Sequence, residues 1–172
     1  MNRDNSRRIS AIALPAALVC AFSASSQAGE WSANASMTSN YIWRGLTQTE
    51  NEAAVQGGID YAGDSGFYVG TWASNVNYGA GDVYSYEHDI YAGFAFDTGD
   101  ISWDVGYLYY NYDKEAEFDF SEVYIGVGIG NFSAQYNVLA DTEADEAPGQ
   151  DFGFGEAYYL SLDYGFETVS YT

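Results

Sequence analysis

Residues 122–138 read EVYIGVGIGNFSAQYNV: Val123, Ile125, Val127 and Ile129 alternate with Glu122, Tyr124, Gly126 and Gly128 until Gly130-Asn131 interrupts the run. Beyond it Phe132, Ala134, Tyr136 and Val138 oppose Ser133, Gln135 and Asn137. A period of two places the apolar residues on one face of an extended strand, whereas a helix would repeat them at 3.6. Two such strands around Gly-Asn form a β-hairpin.

The same alternation runs outward in both directions. In the first segment Trp31, Ala33, Ala35, Met37, Tyr41 and Trp43 share a face, with Ser32, Asn34, Ser36, Thr38, Asn40 and Arg44 opposite. Val55, Gly57, Ile59 and Tyr61 then oppose Gln56, Gly58 and Asp60. Phe67–Val76 carries bulky residues on both faces, so its orientation is open. Tyr86, His88, Ile90, Ala92 and Phe94 oppose Glu87, Asp89, Tyr91 and Gly93; Ile101, Trp103, Val105, Tyr107 and Tyr109 oppose Ser102, Asp104 and Gly106. The last segment sets Tyr158, Leu160, Leu162, Tyr164 and Phe166 against Tyr159, Ser161 and Asp163.

Tight connections at 62–66, 97–100 and 130–131 alternate with longer ones at 47–54, 77–83, 111–121 and 140–155. Bacterial outer-membrane barrels have that asymmetry, with short periplasmic turns and long outer loops. A soluble β-sandwich would also alternate along its strands, but it does not account for the ordering of connection lengths. The expected fold is an all-β, antiparallel, up-and-down transmembrane β-barrel with about eight visible strands, each long enough to cross a bilayer when tilted. Aromatics at the segment ends, Trp31, Tyr41 and Trp43 among them, fit the headgroup level.

Export agrees with this class. Arg3, Arg7 and Arg8 precede an apolar run from Ile9 to Phe22, and Ser26-Gln27-Ala28 follows. This is the pattern of a secretory signal peptide over residues 1–28, leaving 29–172 as the barrel. Val19 before Cys20 is too bulky for a lipoprotein signal. Removing the signal leaves no cysteine, and only Arg44 and Lys114 against 24 acids, a formal charge of −22 in place of −20. Nucleic acid is excluded as a partner, since binding it requires Lys and Arg to neutralise phosphates. With 47% hydrophobic and 18% aromatic residues, the chain is not a disordered acidic one.

The inward set gives the pore-lining candidates Arg44, Asp60, Glu87, Asp89, Asp104, Glu122 and Asp163. Carboxylates along a passage favour cations; the competing role is a closed polar core in which the acids pair with Arg44 and tyrosine hydroxyls. His88 has Glu87 and Asp89 beside it, but neighbours in a strand point to opposite faces, so no catalytic group is assembled. The acidic run 141–146 lacks the glycine and terminal glutamate of a calcium loop. No metal, cofactor or catalytic residue is expected.

The pieces SNYIWRGLTQT (39–49), VQGGIDY (55–61), GFYVGTWASNV (66–76) and EHDIYAGF (87–94) resemble a family of Gram-negative outer-membrane proteins, the Gcw_chp family, also described as TorF-type porins. The resemblance implies an outer-membrane barrel with a pore role and supplies no catalytic residues. Its members look longer at the C-terminus, and Glu167–Thr172 alternates as though a ninth strand begins. Two readings stay open: a larger barrel truncated at its C-terminus, or an eight-stranded barrel with a short tail. The expected function is passive, cation-preferring diffusion of small solutes across the outer membrane. The alternative is a non-conducting barrel whose acidic loops serve structural or surface-binding roles. The expected partners are outer-membrane lipid, lipopolysaccharide, the barrel assembly machinery and the diffusing cations. Oligomeric state is not legible.

Overall fold

The computed structural model describes residues 29–144 and 152–166. The signal segment, the tail Glu167–Thr172 and the acids Asp145, Glu146 and Asp151 lie outside the described residues. Ten strands follow in chain order: β1 (Glu30–Thr38), β2 (Ile42–Trp43), β3 (Leu46–Thr47), β4 (Ala54–Ala62), β5 (Phe67–Asn75), β6 (Tyr86–Thr98), β7 (Ile101–Tyr112), β8 (Phe120–Ile129), β9 (Phe132–Thr142) and β10 (Tyr158–Tyr164). One 3-10 turn, Lys114–Ala116, interrupts the β7–β8 loop. No described helix is long and apolar enough to cross a membrane, which leaves crossing by strands untouched.

Eight strands form one antiparallel meander, β1-β4-β5-β6-β7-β8-β9-β10, and β2-β3 is a separate two-stranded hairpin. Each strand pairs with its neighbour in sequence, as short antiparallel connections dictate. Among the described residues β1 and β10 are not paired with each other, so the closed ring of the expected barrel is not formed.

Register carries one face through the whole sheet. Asp60 pairs with Gly70, Gly70 with Tyr91, Tyr91 with Leu108, Leu108 with Glu122 and Glu122 with Leu139. That face is buried although, among the described residues, only the short β2-β3 hairpin lies against it: Gln56, Asp60, Glu87, Asp89, Glu122, Gln135 and Asn137 are all less than 9% exposed. A single sheet buries one face only by curling around it. Contacts that skip strands show the curl. Tyr68 Oη on β5 donates to Asp104 Oδ1 on β7 at 2.6 Å and touches the Tyr124 hydroxyl on β8; Tyr91 on β6 donates to Asp60 on β4.

Curling requires room, and glycines supply it. Gly70, Gly93 and Gly106 each face a tyrosine on the paired strand, Tyr91, Tyr68 and Tyr124 respectively, and a Cβ at any of the three would strike that ring. Side-chain-free positions thus seat the rings that fill the interior. β5, whose facing the pattern left open, turns Gly70, Trp72 and Ser74 inward and exposes Phe67.

The convex face is apolar and exposed. Ile59, Ile90, Phe94, Ile125, Leu160 and Leu162 are between 40% and 64% exposed, on the side opposite the carboxylates. The strand-by-strand facing read from the alternation holds for β4 and for β6 to β10.

The first segment does not hold as read. β1 stops at Thr38, and the chain leaves the sheet at Ser39-Asn40. Tyr41 and Trp43, expected at the lipid headgroups, instead enter the concavity: Tyr41 is 4% exposed, and Trp43 packs against the buried cluster of Trp72, Leu108, Tyr110 and Tyr112. Arg44 is not a strand residue. It takes a left-handed backbone (φ 47°) at the tip between β2 and β3, with Gly45 (φ 86°) following.

Carboxylates staple the long loops to the sheet. Asp113 accepts from Ser85 N at 2.5 Å, Ser85 Oγ at 2.7 Å and Tyr86 N at 3.1 Å. Asp119 accepts from Tyr112 N, Tyr109 Oη and Asn111 Nδ2. Slight burial pushes the Asp113 carboxyl up, but the hydrogen bonds from Ser85 and Tyr86 outweigh it and hold the group below the ordinary carboxylate value. A carboxyl depressed in the folded state stabilises above its unfolded pKa, and that contribution disappears as pH falls through the folded value. Acidification below the ordinary carboxylate range is therefore expected to release the 77–85 loop. Amide exchange at Ser85 and Tyr86 reads it, and Asp113→Asn should show fast exchange already at neutral pH.

Candidate functional site

The interior divides into two levels. At the level of the tight turns, Asp104 is held by Tyr68, beside Tyr124, and Asp60 by Tyr91. At the level of the long loops, the β2-β3 hairpin lies within the curled sheet and touches five of its strands. Tyr41 Oη donates to Glu87 Oε1 on β6 at 2.7 Å, and its ring meets Trp72 of β5 edge-on at 5.4 Å. Trp43 meets Tyr110 of β7 at 5.8 Å. Arg44 forks onto Glu122 of β8, Nη1 to Oε1 at 2.7 Å and Nη2 to Oε2 at 2.6 Å, and lies 4.4 Å from the ring centroid of Tyr159 on β10.

The loop holds this shape by bonding to itself. Thr49 Oγ1 accepts from Tyr41 N and donates to Glu52 O; Thr47 Oγ1 donates to Asn40 Oδ1; Gln48 N donates to Tyr41 O. Gln48 then ties it to the next long loop, accepting from Tyr78 Oη at 2.6 Å and, through its carbonyl, from Asn77 N at 2.8 Å.

Glu122 is heavily partnered. Besides Arg44 it accepts from Asn137 Nδ2 at 3.0 Å and Tyr110 Oη at 3.3 Å, and it sits at a register shift between β8 and β9 at Ser121/Glu122. Such a shift re-aims a side chain; here both Ser121 and Glu122 are buried. Glu87 accepts from Tyr41 and Tyr112. Asp89 is 8% exposed, with Oδ1 lacking a hydrogen-bond partner.

Of the seven residues singled out from the sequence, Asp60, Glu87, Asp89 and Glu122 are buried on the concave face, Asp104 and Arg44 are half-buried there, and Asp163 lies on that face but exposed, on β10 at the sheet's edge. The structure unites Arg44 with Glu122 and gives Asp60, Glu87 and Asp104 to tyrosines. Tyr110, Tyr112 and Asn137 hold the acids in place together with Tyr41, which the sequence assigns to the headgroup level; the sequence offers tyrosine hydroxyls as partners of the acids, and pairing across strands decides which ones. His88 projects from the opposite face, its Nε2 2.6 Å from Thr71 Oγ1, with Glu87 and Asp89 behind it. Among the described residues no group of His, Cys, Asp and Glu could hold a metal ion.

The fold defines the class as an all-β protein, a curled antiparallel meander whose carboxylates lie on the concave face among buried aromatic rings and whose convex face exposes apolar side chains. Residues 23–172 match the family of bacterial proteins of unknown function designated Gcw_chp, and the chain belongs to that family. No curated protein and no solved structure matches it.

Proposed function

We propose that the protein is a non-enzymatic outer-membrane β-barrel of a Gram-negative bacterium, a porin-like wall around a narrow, cation-preferring passage for small solutes. The porin designation given to TorF-type proteins accords with this reading. The inverted distribution of polarity carries it. In water, burying four carboxylates while exposing an apolar face would be unfavourable on both counts; in lipid, the same arrangement is what strands alternating between bilayer and lumen require. Closure of the sheet, export through the periplasm, insertion by the barrel assembly machinery and contact of the acidic loops with lipopolysaccharide belong to the same proposal.

Cation preference follows from charge. Asp60, Glu87, Asp89, Asp104 and Glu122 face inward against Arg44 alone among the described strands and hairpin, and charge in a narrow, low-dielectric passage is poorly screened. A second reading, a barrel that does not conduct, is favoured by the hairpin occupying the loop-side interior. The test uses the mature chain in planar bilayers, after confirming that it fractionates with the outer membrane and shifts its gel mobility on heating. Potassium should be preferred over chloride, most at low salt, and converting Asp60, Asp89 and Asp104 to Asn should weaken the preference. A folded chain without conductance selects the second reading; a soluble periplasmic monomer rejects both.

A further inference from the structure

We propose that the inner wall formed by Glu122, Tyr110, Asn137 and Tyr159 is a binding site for guanidinium-bearing cations, which the chain's own Arg44 occupies. The carboxylate, its two anchors and one aromatic face belong to the sheet, and Trp43 of the hairpin supplies a second aromatic face, 4.2 Å from the guanidinium. Tyr110 and Asn137 hydrogen-bond Glu122 Oε2 and so fix the carboxylate, while Tyr159 supplies an aromatic face from β10. The ligand half comes from elsewhere: Arg44 is presented at the tip of a hairpin of two-residue strands, in a left-handed backbone conformation that a residue with a Cβ disfavours. Its guanidinium makes two parallel bonds to Glu122, at 2.7 and 2.6 Å, against an aromatic ring. A planar fork donor matches that geometry, and a spherical ammonium does not.

A guanidinium tethered beside its site competes at high effective concentration, so a free cation binds measurably only once the tethered one is removed. The binding step stands on geometry alone. That such a cation is a solute of the passage rests on the function proposed above.

The test is chemical rescue of Arg44→Ala in the full chain, in detergent, followed by thermal unfolding. The variant should melt lower than the parent, and millimolar guanidinium chloride, far below denaturing concentrations, should raise its midpoint by several degrees, because a ligand of the native state stabilises it by mass action. Ammonium or potassium chloride at equal ionic strength should raise it much less, and Arg44→Ala/Glu122→Gln should lose the response. Arg44→Gln, which removes the tethered cation but keeps a polar side chain, serves if the alanine variant does not fold, and should respond in the same direction. No rescue in the variant that folds, equal rescue by ammonium, or rescue that survives the loss of the Glu122 charge overturns the proposal. Rescue without conductance leaves the site standing and removes the passage; conductance without rescue does the reverse.

Discussion

Arginine in place of Ile125 is expected to cost about 2–4 kcal/mol if the convex face meets the bilayer near its midplane. Ile125 is 45% exposed and projects away from every carboxylate of the interior. On a water-soluble protein an exposed isoleucine changed to arginine shifts stability by no more than about 0.5 kcal/mol. The two environments therefore differ several-fold for one substitution. Urea unfolding in lipid vesicles measures it, with Ser133→Arg on the opposite face as the comparison. A cost near zero at Ile125 would place that face in water and remove the basis for a membrane protein.

A still larger loss is expected from Glu122→Ala. Removing one partner of a buried ion pair leaves the other uncompensated, which costs about 3–5 kcal/mol, and here Tyr110 and Asn137 lose an acceptor as well. Arg44 and Glu122 side chains are 14% and 5% exposed, so solvent does little to replace the pair. The double variant Arg44→Ala/Glu122→Ala should recover part of the loss, because no buried charge is then stranded. Equilibrium unfolding of the two single variants and the double one forms the cycle that checks this. Additive losses would mean that the pair is not coupled.

Most of the wall was legible in the sequence and its contents were not. The alternation in β8 and β9 survives because one face of those strands is uniformly apolar, and a slip of one residue would invert it. In β5 the pattern failed for a physical reason: Tyr68 and Trp72 point inward, where tyrosines bond carboxylates and rings pack against the hairpin, so bulky residues stand on both faces. Tyr41 and Trp43 misled in a related way. They continue the odd-numbered apolar series of β1, yet the strand has already ended at Thr38, and nothing in a period of two distinguishes a ring that meets lipid from one folded into a polar interior. The hydroxyl and amide residues around them, Thr38, Asn40, Thr47, Gln48 and Thr49, bond the loop to itself and were the available sign that the extended chain had stopped.

The hairpin leaves the sheet directly after the first strand and packs into the concavity against strands that come later in the chain, β5, β6, β7, β8 and β10. A single short element thus acts as a mandrel against which five strands curl, so loss of its anchors is expected to be felt across the whole sheet rather than at one contact, lowering the yield of folded protein along with its stability.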